Sequence, residues 1–322
     1  MSALLSGEKE LEKKDFILFS GSSHPTLAQE IGEQLGISLG RVKLMRFPDG
    51  EVSVEIQESV RGKHVFIVQS IVHDPDRHLM ELLVMVDAAR RASAKSVVAV
   101  ISYFGYCRQD RKDKPRVPIT AKLVANLLEK AGVDRVLTMD LHTLQVEGFF
   151  DVPVDNLRAI SKLISAVKLE VPHNLCVVAP DIGSVKLARK YAGELDADFA
   201  IVDKIRCSST QVTVATVVGS VEGKDVLLAD DMCSTGATLV SAAKACQEKG
   251  ARRVFALVTH AVFVGKAVDL IMDSPIQRMW ITNSIPLSDR LKGMTKLSVV
   301  SVASLFSNAI GCILSSGSIS SL

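Results

Sequence analysis

Four short segments carry residues whose chemistry is hard to explain as packing alone. In residues 226–238 a run of Val-Leu-Leu-Ala leads into Asp230 and Asp231, then Met-Cys, then Ser234, Thr235, Gly236, Ala237 and Thr238. A buried strand that ends in two carboxylates, then hydroxyls and glycine, then a helix is suited to a phosphate. Backbone N–H groups at the helix start, with the Ser and Thr hydroxyls, can cradle the anion, while Asp230 and Asp231 can hold ribose hydroxyls or a metal. Ser-Thr-Gly alone would be a plain helix cap. The adjoining acidic pair turns the reading toward a site.

Three other segments repeat the arrangement. Residues 135–139 deliver Asp140 and His142 at the end of an apolar run, and residues 177–180 deliver Asp181, Ile182, Gly183 and Ser184, a glycine-containing turn into a helix start. Lys204 and Arg206 follow the apolar run 199–203 and precede a polar stretch, 207–211, expected to be mobile. Two cations two residues apart would by themselves be a solvated edge. The charged run 108–116 alternates in sign and would also read as a solvated loop. Its place directly after the apolar run 96–104 argues otherwise, because ligands of open parallel sheets bind beyond the carboxyl ends of the strands.

Such residues need strands to deliver them. Apolar runs rich in β-branched residues recur at 64–70, 96–104, 135–141, 174–180, 199–203 and 226–230, and read as buried strands. Segments of helical period lie among them at 79–94, 119–132, 157–170, 185–195 and 238–250; Ile119, Leu123, Leu127 and Ala131 share one helical face. Strand alternating with helix calls for right-handed crossovers and parallel sheets covered on both faces, an α/β class. The strands are too many for one sheet. A boundary near residues 155–158, where a loop leads into a new helix, divides the chain into domains 1–157 and 158–322.

Composition excludes several classes. The 322 residues are 48% hydrophobic with one Trp and three Tyr, so the core must rest on Val, Ile, Leu and Ala. Lys plus Arg number 38 against 36 Asp plus Glu, which leaves no basic stripe for nucleic acid. The cysteines at 107, 176, 207, 233, 246 and 312 form no C-x-x-C or zinc knuckle, which suits a reducing, cytoplasmic setting. No apolar run approaches the ~20 residues needed to span a bilayer. The first fifteen residues are charged early and lack the apolar stretch of a secretory signal, so a loosely held tail is expected.

The segment 226–238 resembles the phosphoribosyl-binding loop of type I phosphoribosyltransferases. Residues 135–155, Arg46-Phe47-Pro48-Asp49-Gly50-Glu51 and residues 103–113 (Tyr-Phe-Gly-Tyr-Cys-Arg-Gln-Asp-Arg-Lys-Asp) resemble together the signatures of one family, the ribose-phosphate diphosphokinases. Several long motifs in the right order are far more specific than any one, and the resemblance runs from about Phe16 to the C-terminus. It implies two phosphoribosyltransferase-like domains, each with a mainly parallel sheet flanked by helices, and an active site between them. The implied reaction moves the β,γ-diphosphoryl group of Mg-ATP to the C1 hydroxyl of ribose 5-phosphate. No Walker pattern occurs in the chain.

By the same resemblance, Arg108, Gln109, Asp113 and His142 border ATP, with Phe47, Asp49 and Glu51 holding the adenine from a neighbouring subunit. His142 and Asp181 lie near Mg²⁺, the histidine through water because imidazole is an unusual ligand for so hard a cation. Asp181, Gly183 and Ser184 form the diphosphate loop; Asp230, Asp231, Ser234, Thr235, Gly236, Ala237 and Thr238 take ribose 5-phosphate. Lys204 and Arg206 are the catalytic cations of a flexible loop. Ser59, Arg61, Ser318 and Ser320 match an allosteric anion site for phosphate and ADP in a hexamer built from dimers.

Five positions depart from the family pattern: Glu147 where Gln is usual, Ser184 for a glycine, Ile205 for a basic residue, Ser234 for an Asp, and Ala237 for a Gly. Ser184 can substitute only if it keeps φ negative, and Ala237 is comfortable only in a first helical turn. An alternative follows from Ser184, Ile205 and Ser234: a catalytically weak homologue that regulates active subunits. A base-using phosphoribosyltransferase would explain residues 230–238 but not the Arg46, Tyr103 and Asp140 motifs.

Overall fold

The computed structural model describes residues 15–170, 174–206, 213–291 and 293–319, the side chains of 204–206, 213, 214 and 290 excepted. The chain forms two compact units, one of Met1–Leu157 with Ala303–Leu322 and the other of Arg158–Val302.

The first unit runs β1 (Phe16–Ser20), α1 (Pro25–Leu35), β2 (Val42–Arg46), β3 (Val52–Ile56), β4 (His64–Val68), α2 (Pro75–Arg91), β5 (Ser96–Ile101), α3 (Thr120–Ala131), β6 (Arg135–Met139) and β7 (Val154–Leu157). Its sheet is parallel in the order β1-β4-β5-β6-β7, and β2 and β3 form a separate antiparallel hairpin. Strands such as HVFIV and SVVAVI are apolar on both faces because both faces are covered. Ile17, Val65, Ile67, Val97, Ala99 and Val136 share one core with Leu82, Met85 and Val86 of α2 and Val124 and Leu128 of α3. Pro75 and Asp76 begin α2 and Arg90 and Arg91 end it, a charge order that favours the helix dipole.

Helix α3 corrects one sequence reading. It buries Ala121, Val124, Ala125 and Leu128, while Leu123 and Leu127 are 54% and 40% exposed. Two apolar faces were available, and the one with Ala121, Val124 and Leu128 joins the core shared by the strands and α2. Residues 155–157, which the sequence reads as part of a loop, belong to the strand β7.

The second unit runs α4 (Ile160–Lys168), β8 (Leu175–Ala179), α5 (Val185–Leu195), β9 (Asp198–Arg206), β10 (Thr213–Val218), β11 (Asp225–Cys233), α6 (Ala237–Glu248), β12 (Arg253–Ala261), α7 (Ala267–Met272), β13 (Ile276–Thr282) and β14 (Leu297–Val300). The sheet order is β10-β9-β8-β11-β12-β13-β14, parallel except for β10 against β9. The chain leaves β8 for β9 on one side and comes back to β11 on the other. Loops after β8 and β11 therefore diverge, and the crevice they leave is the expected ligand position of such a sheet.

The last helix, α8 (Ala303–Ser315), packs against α1, and the Ser307 hydroxyl donates to Gln34 Oε1 at 3.0 Å. Chain order alone assigns residues 303–322 to the second domain, but the fold returns them to the first unit, because an amphipathic terminal segment goes where an apolar face needs cover, here α1. Among the described residues no helix is long and apolar enough to cross a membrane.

The amino end of β11 is held by charge. Asp225 is fully buried and takes a two-pronged contact from each of Arg252 (2.8 and 2.6 Å) and Arg253 (3.1 and 2.5 Å). Burial works to raise the carboxyl pKa, but the hydrogen bonds and charges of Arg252 and Arg253 outweigh it and hold it at about 2. Asp225→Asn is expected to cost about 2–3 kcal/mol at neutral pH, read from the denaturant midpoint. The folded pKa lies below the ordinary 3.8, so the stabilisation is complete above about pH 4 and is lost as pH falls toward 2. The deficit of the variant should therefore vanish in that window.

Candidate functional site

The segment 226–238 is where β11 meets α6. The register pairs Leu228 of β11 with Val178 of β8, so Asp230 and Asp181, two and three residues further on, come out at the same edge of the sheet. The Asp231 N–H donates to Asp230 Oδ1 at 2.9 Å. Burial, then the charge of Asp231, then that of Asp181, pushes the Asp230 carboxyl up to about 9. The negative charge that Asp231 and Asp181 impose on Asp230 would be relieved by a cation or by donors from a polyhydroxyl ligand.

Beyond the acids the chain turns through Gly236, which has φ +79° and would place a Cβ 3.3 Å from the Ala267 carbonyl oxygen. The positive φ would strain any other residue, and the nearby carbonyl adds to the preference for glycine. Ala237 is the first residue of α6 and is exposed, so its methyl group sits in a first helical turn without crowding. The loop is tied down by Phe263 and Val264, whose N–H groups donate to the carbonyls of Cys233 and Ser234 at 3.0 and 2.9 Å. Sequence reasoning missed these two supports; the available signal was their place directly after β12, the parallel neighbour of β11. The Cys233 thiol is pushed up to about 12 by burial and then by Asp230, which makes it inert at neutral pH.

The loop after β8 also fits its sequence reading. Ser184 has φ −86°, so the residue in place of a glycine lies in ordinary backbone space, and it is buried. It bonds back to Asp181, while Ile182 and Gly183 stay exposed. The two cations Lys204 and Arg206 end β9, their backbones paired with Ala215 and Thr213 of β10. The strand is thus longer than the 199–203 read from sequence. Residues 207–212, including Cys207 and the stretch expected to be mobile, lie outside the described residues.

In the first unit Phe47, Asp49 and Glu51 form the tip of the β2–β3 hairpin. Glu51 N–H donates to Asp49 Oδ1 at 3.2 Å, Phe47 N–H to the Glu51 carbonyl at 2.9 Å, and Arg46 reaches the Gly50 carbonyl at 2.5 Å. Phe47 is 53% exposed, so it is not a core aromatic. Arg108, Gln109 and Asp113 are exposed beyond β5, with the Gln109 side chain accepting from the Thr120 hydroxyl at the head of α3. His142 is exposed just past β6, after the buried Asp140 at φ +36°. Glu147, the departure from Gln, accepts from Asn156 Nδ2 at 2.6 Å. Ser59 and Arg61 are exposed between β3 and β4, and Ser318 is exposed in the same unit; Ser320 lies outside the described residues.

Among the described residues no three His, Cys, Asp or Glu side chains close around a point as a ready metal cage. The acids after β8 and β11 instead offer hard oxygen donors from few residues. That donor set fits Mg²⁺, which keeps several waters and is commonly held by one or two carboxylates plus substrate phosphates.

Comparison with known proteins follows the same lines. Residues 16–132 match the N-terminal domain of ribose phosphate pyrophosphokinase, and residues 206–322 match the phosphoribosyl synthetase-associated domain. The chain is 46% identical over 309 residues to a ribose-phosphate pyrophosphokinase of Helicobacter pylori, covering 96% of each. It is 49% identical over 310 residues to one from Vibrio parahaemolyticus, covering 96% of this chain and 99% of that one. Among solved structures, phosphoribosylpyrophosphate synthetase from Mycobacterium smegmatis superposes with a TM-score of 0.89 at 37% identity, over 94% of this chain and all of that one.

Proposed function

The chain belongs to the ribose-phosphate pyrophosphokinase family, and from that membership we propose that the loops after β8, β9 and β11 carry out its diphosphoryl transfer. It is an enzyme that makes phosphoribosyl diphosphate. The C1 hydroxyl oxygen of ribose 5-phosphate attacks the β-phosphorus of ATP in line, the bond from that phosphorus to the α,β-bridging oxygen breaks, the hydroxyl proton is lost, and AMP leaves. No covalent enzyme intermediate is needed. Transfers of this kind depend on positioning and charge neutralisation.

Asp230 and Asp231 hold the ribose hydroxyls, and the turn through Ser234, Thr235, Gly236, Ala237 and Thr238 takes the 5-phosphate at the start of α6. Asp181, Gly183 and Ser184 receive the diphosphate. By the family resemblance Asp181 would hold Mg²⁺ and His142 would act on such an ion through water; the ion, when bound, would neutralise phosphate charge. Lys204 and Arg206 stabilise the transferring group, one as a point charge and one as a planar fork. Arg108, Gln109 and Asp113 border ATP, and Phe47, Asp49 and Glu51 take the adenine of a neighbouring subunit.

The observation that carries the reading is the convergence of Asp181, Asp230 and Asp231 at the edge of β8 and β11, beside a helix start shaped by Gly236. Of the departures behind the regulatory alternative, Ser184 counts less because it keeps φ negative, and the separate departure Ala237 stands in a first turn. The enzyme works in the cytoplasm as a homo-oligomer of dimers, a hexamer, with phosphate and ADP as effectors at Ser59, Arg61, Ser318 and Ser320. Phosphorus NMR of a reaction with ribose 5-phosphate and Mg-ATP should show a new diphosphate ester and AMP. Accumulation of ADP with a sugar bisphosphate, the products of single-phosphoryl transfer, would refute the diphosphoryl transfer.

A further inference from the structure

Ser184 does more than fill a glycine's place. Its N–H donates to Asp181 Oδ1 at 3.2 Å, its hydroxyl donates to the Asp181 carbonyl at 3.0 Å, and the Asp181 N–H points back at Ser184 Oγ at 3.4 Å. The Asp-x-x-Ser pair thus closes as a reciprocal box, the pattern by which a side chain at each end of a turn satisfies the backbone N–H at the other. Asp181 Oδ1 also lies 3.3 Å from where a Cβ on Gly183 would stand, so the carboxylate folds over the crown of the loop. Ser184 is buried at 5% exposure, which holds the box in place.

A loop that binds a diphosphate does so with its own N–H groups, and here the N–H groups of Asp181 and Ser184 are already engaged by the loop itself. The negative charge of the Asp181 carboxylate at the same loop opposes an anionic ligand. We propose that Ser184 is a positioning residue that locks the diphosphate loop shut on Asp181, so that the ligand must open the Asp181–Ser184 box and turn the Asp181 carboxylate outward. Affinity is then lowered by the fraction of molecules whose loop is open. This rests on the diphosphate reading of the loop given above. It differs from a bare loss of glycine, which would only crowd the ligand: the hydroxyl, not the Cβ, sets the affinity.

Three variants separate the two. Ser184→Ala keeps the Cβ and the N–H and removes the hydroxyl, Ser184→Thr keeps the hydroxyl, and Ser184→Gly removes both. Calorimetric titration with phosphoribosyl diphosphate and Mg²⁺ should give about three- to tenfold tighter binding for the Ala and Gly forms, the worth of about one hydrogen bond, and parental affinity for the Thr form. Amide exchange of residues 181–185 in the free protein should be faster in the Ala form than in the parent. Unchanged or weaker binding by Ser184→Ala, with the parent binding normally, overturns the lock. Absence of binding in every form, parent included, overturns the diphosphate reading and the lock with it.

Discussion

Lys204→Ala is expected to lower turnover by about two to three orders of magnitude, with KM for ribose 5-phosphate changed by less than about threefold. The transferring diphosphoryl group spreads charge over its oxygens as the bond to AMP loosens. A cation that meets this charge in the transition state, and not in the ground state, acts on turnover and leaves binding alone. Lys204 stands at the end of β9 beside Arg206, next in the sheet to β8, whose following loop holds Asp181. Steady-state kinetics at saturating ATP check the split. A variant as fast as its parent would show that the loop has been misassigned, even with the overall reaction intact.

The second large effect is expected at Asp230. Asp230→Asn should raise KM for ribose 5-phosphate by about ten- to hundredfold, since a hydrogen bond from a ribose hydroxyl to a carboxylate that bound Mg²⁺ and sugar bring into its charged form would contribute about 1.5–3 kcal/mol. The same change should raise the melting temperature of the protein measured without Mg²⁺. Burial and the charges of Asp231 and Asp181 hold the folded pKa at about 9, far above the ordinary 3.8. A carboxyl raised in this way favours the folded state below pH 3.8 and loses that advantage as pH rises toward 9. At pH 7 the ionised form is disfavoured in the fold, and the neutral amide relieves the conflict. A scan showing the Asn form less stable than the parent at pH 7 would contradict this account of the cluster; such a cluster is an instance of stability given up for function.

Much of the scaffold was legible in the residues. Runs such as those beginning at His64, Ser96 and Val226 are continuous and apolar because parallel strands are covered on both faces, and β4, β5 and β11 stand there. The hairpin β2–β3 was not read as two strands, since VKLMR and VSVEI are half exposed and mix charge with apolar residues. Chain order could not show that α8 returns to the first unit, because nothing in its own residues names the face it covers. On α3 periodicity allowed two apolar stripes, and only packing against the sheet chose the one with Ala121 and Ala125.

The site was legible for a different reason. Acids and hydroxyls placed directly after apolar runs have no packing purpose, so Asp230, Asp231 and Asp181 stood out, and the resemblance supplied the substrates. What stayed hidden were relations between residues. The support of Cys233 and Ser234 by Phe263 and Val264 crosses from one strand to the next, and the Asp181–Ser184 box depends on a rotamer. Ser184 read as a lost glycine until its hydrogen bonds were known.

One measurement tests the central claim most directly: release of AMP by the purified chain with Mg-ATP and phosphate, with and without ribose 5-phosphate. The account predicts AMP that depends on the sugar and equals phosphoribosyl diphosphate mole for mole. Folded, assembled protein that releases no AMP, or releases it equally without the sugar, would contradict it.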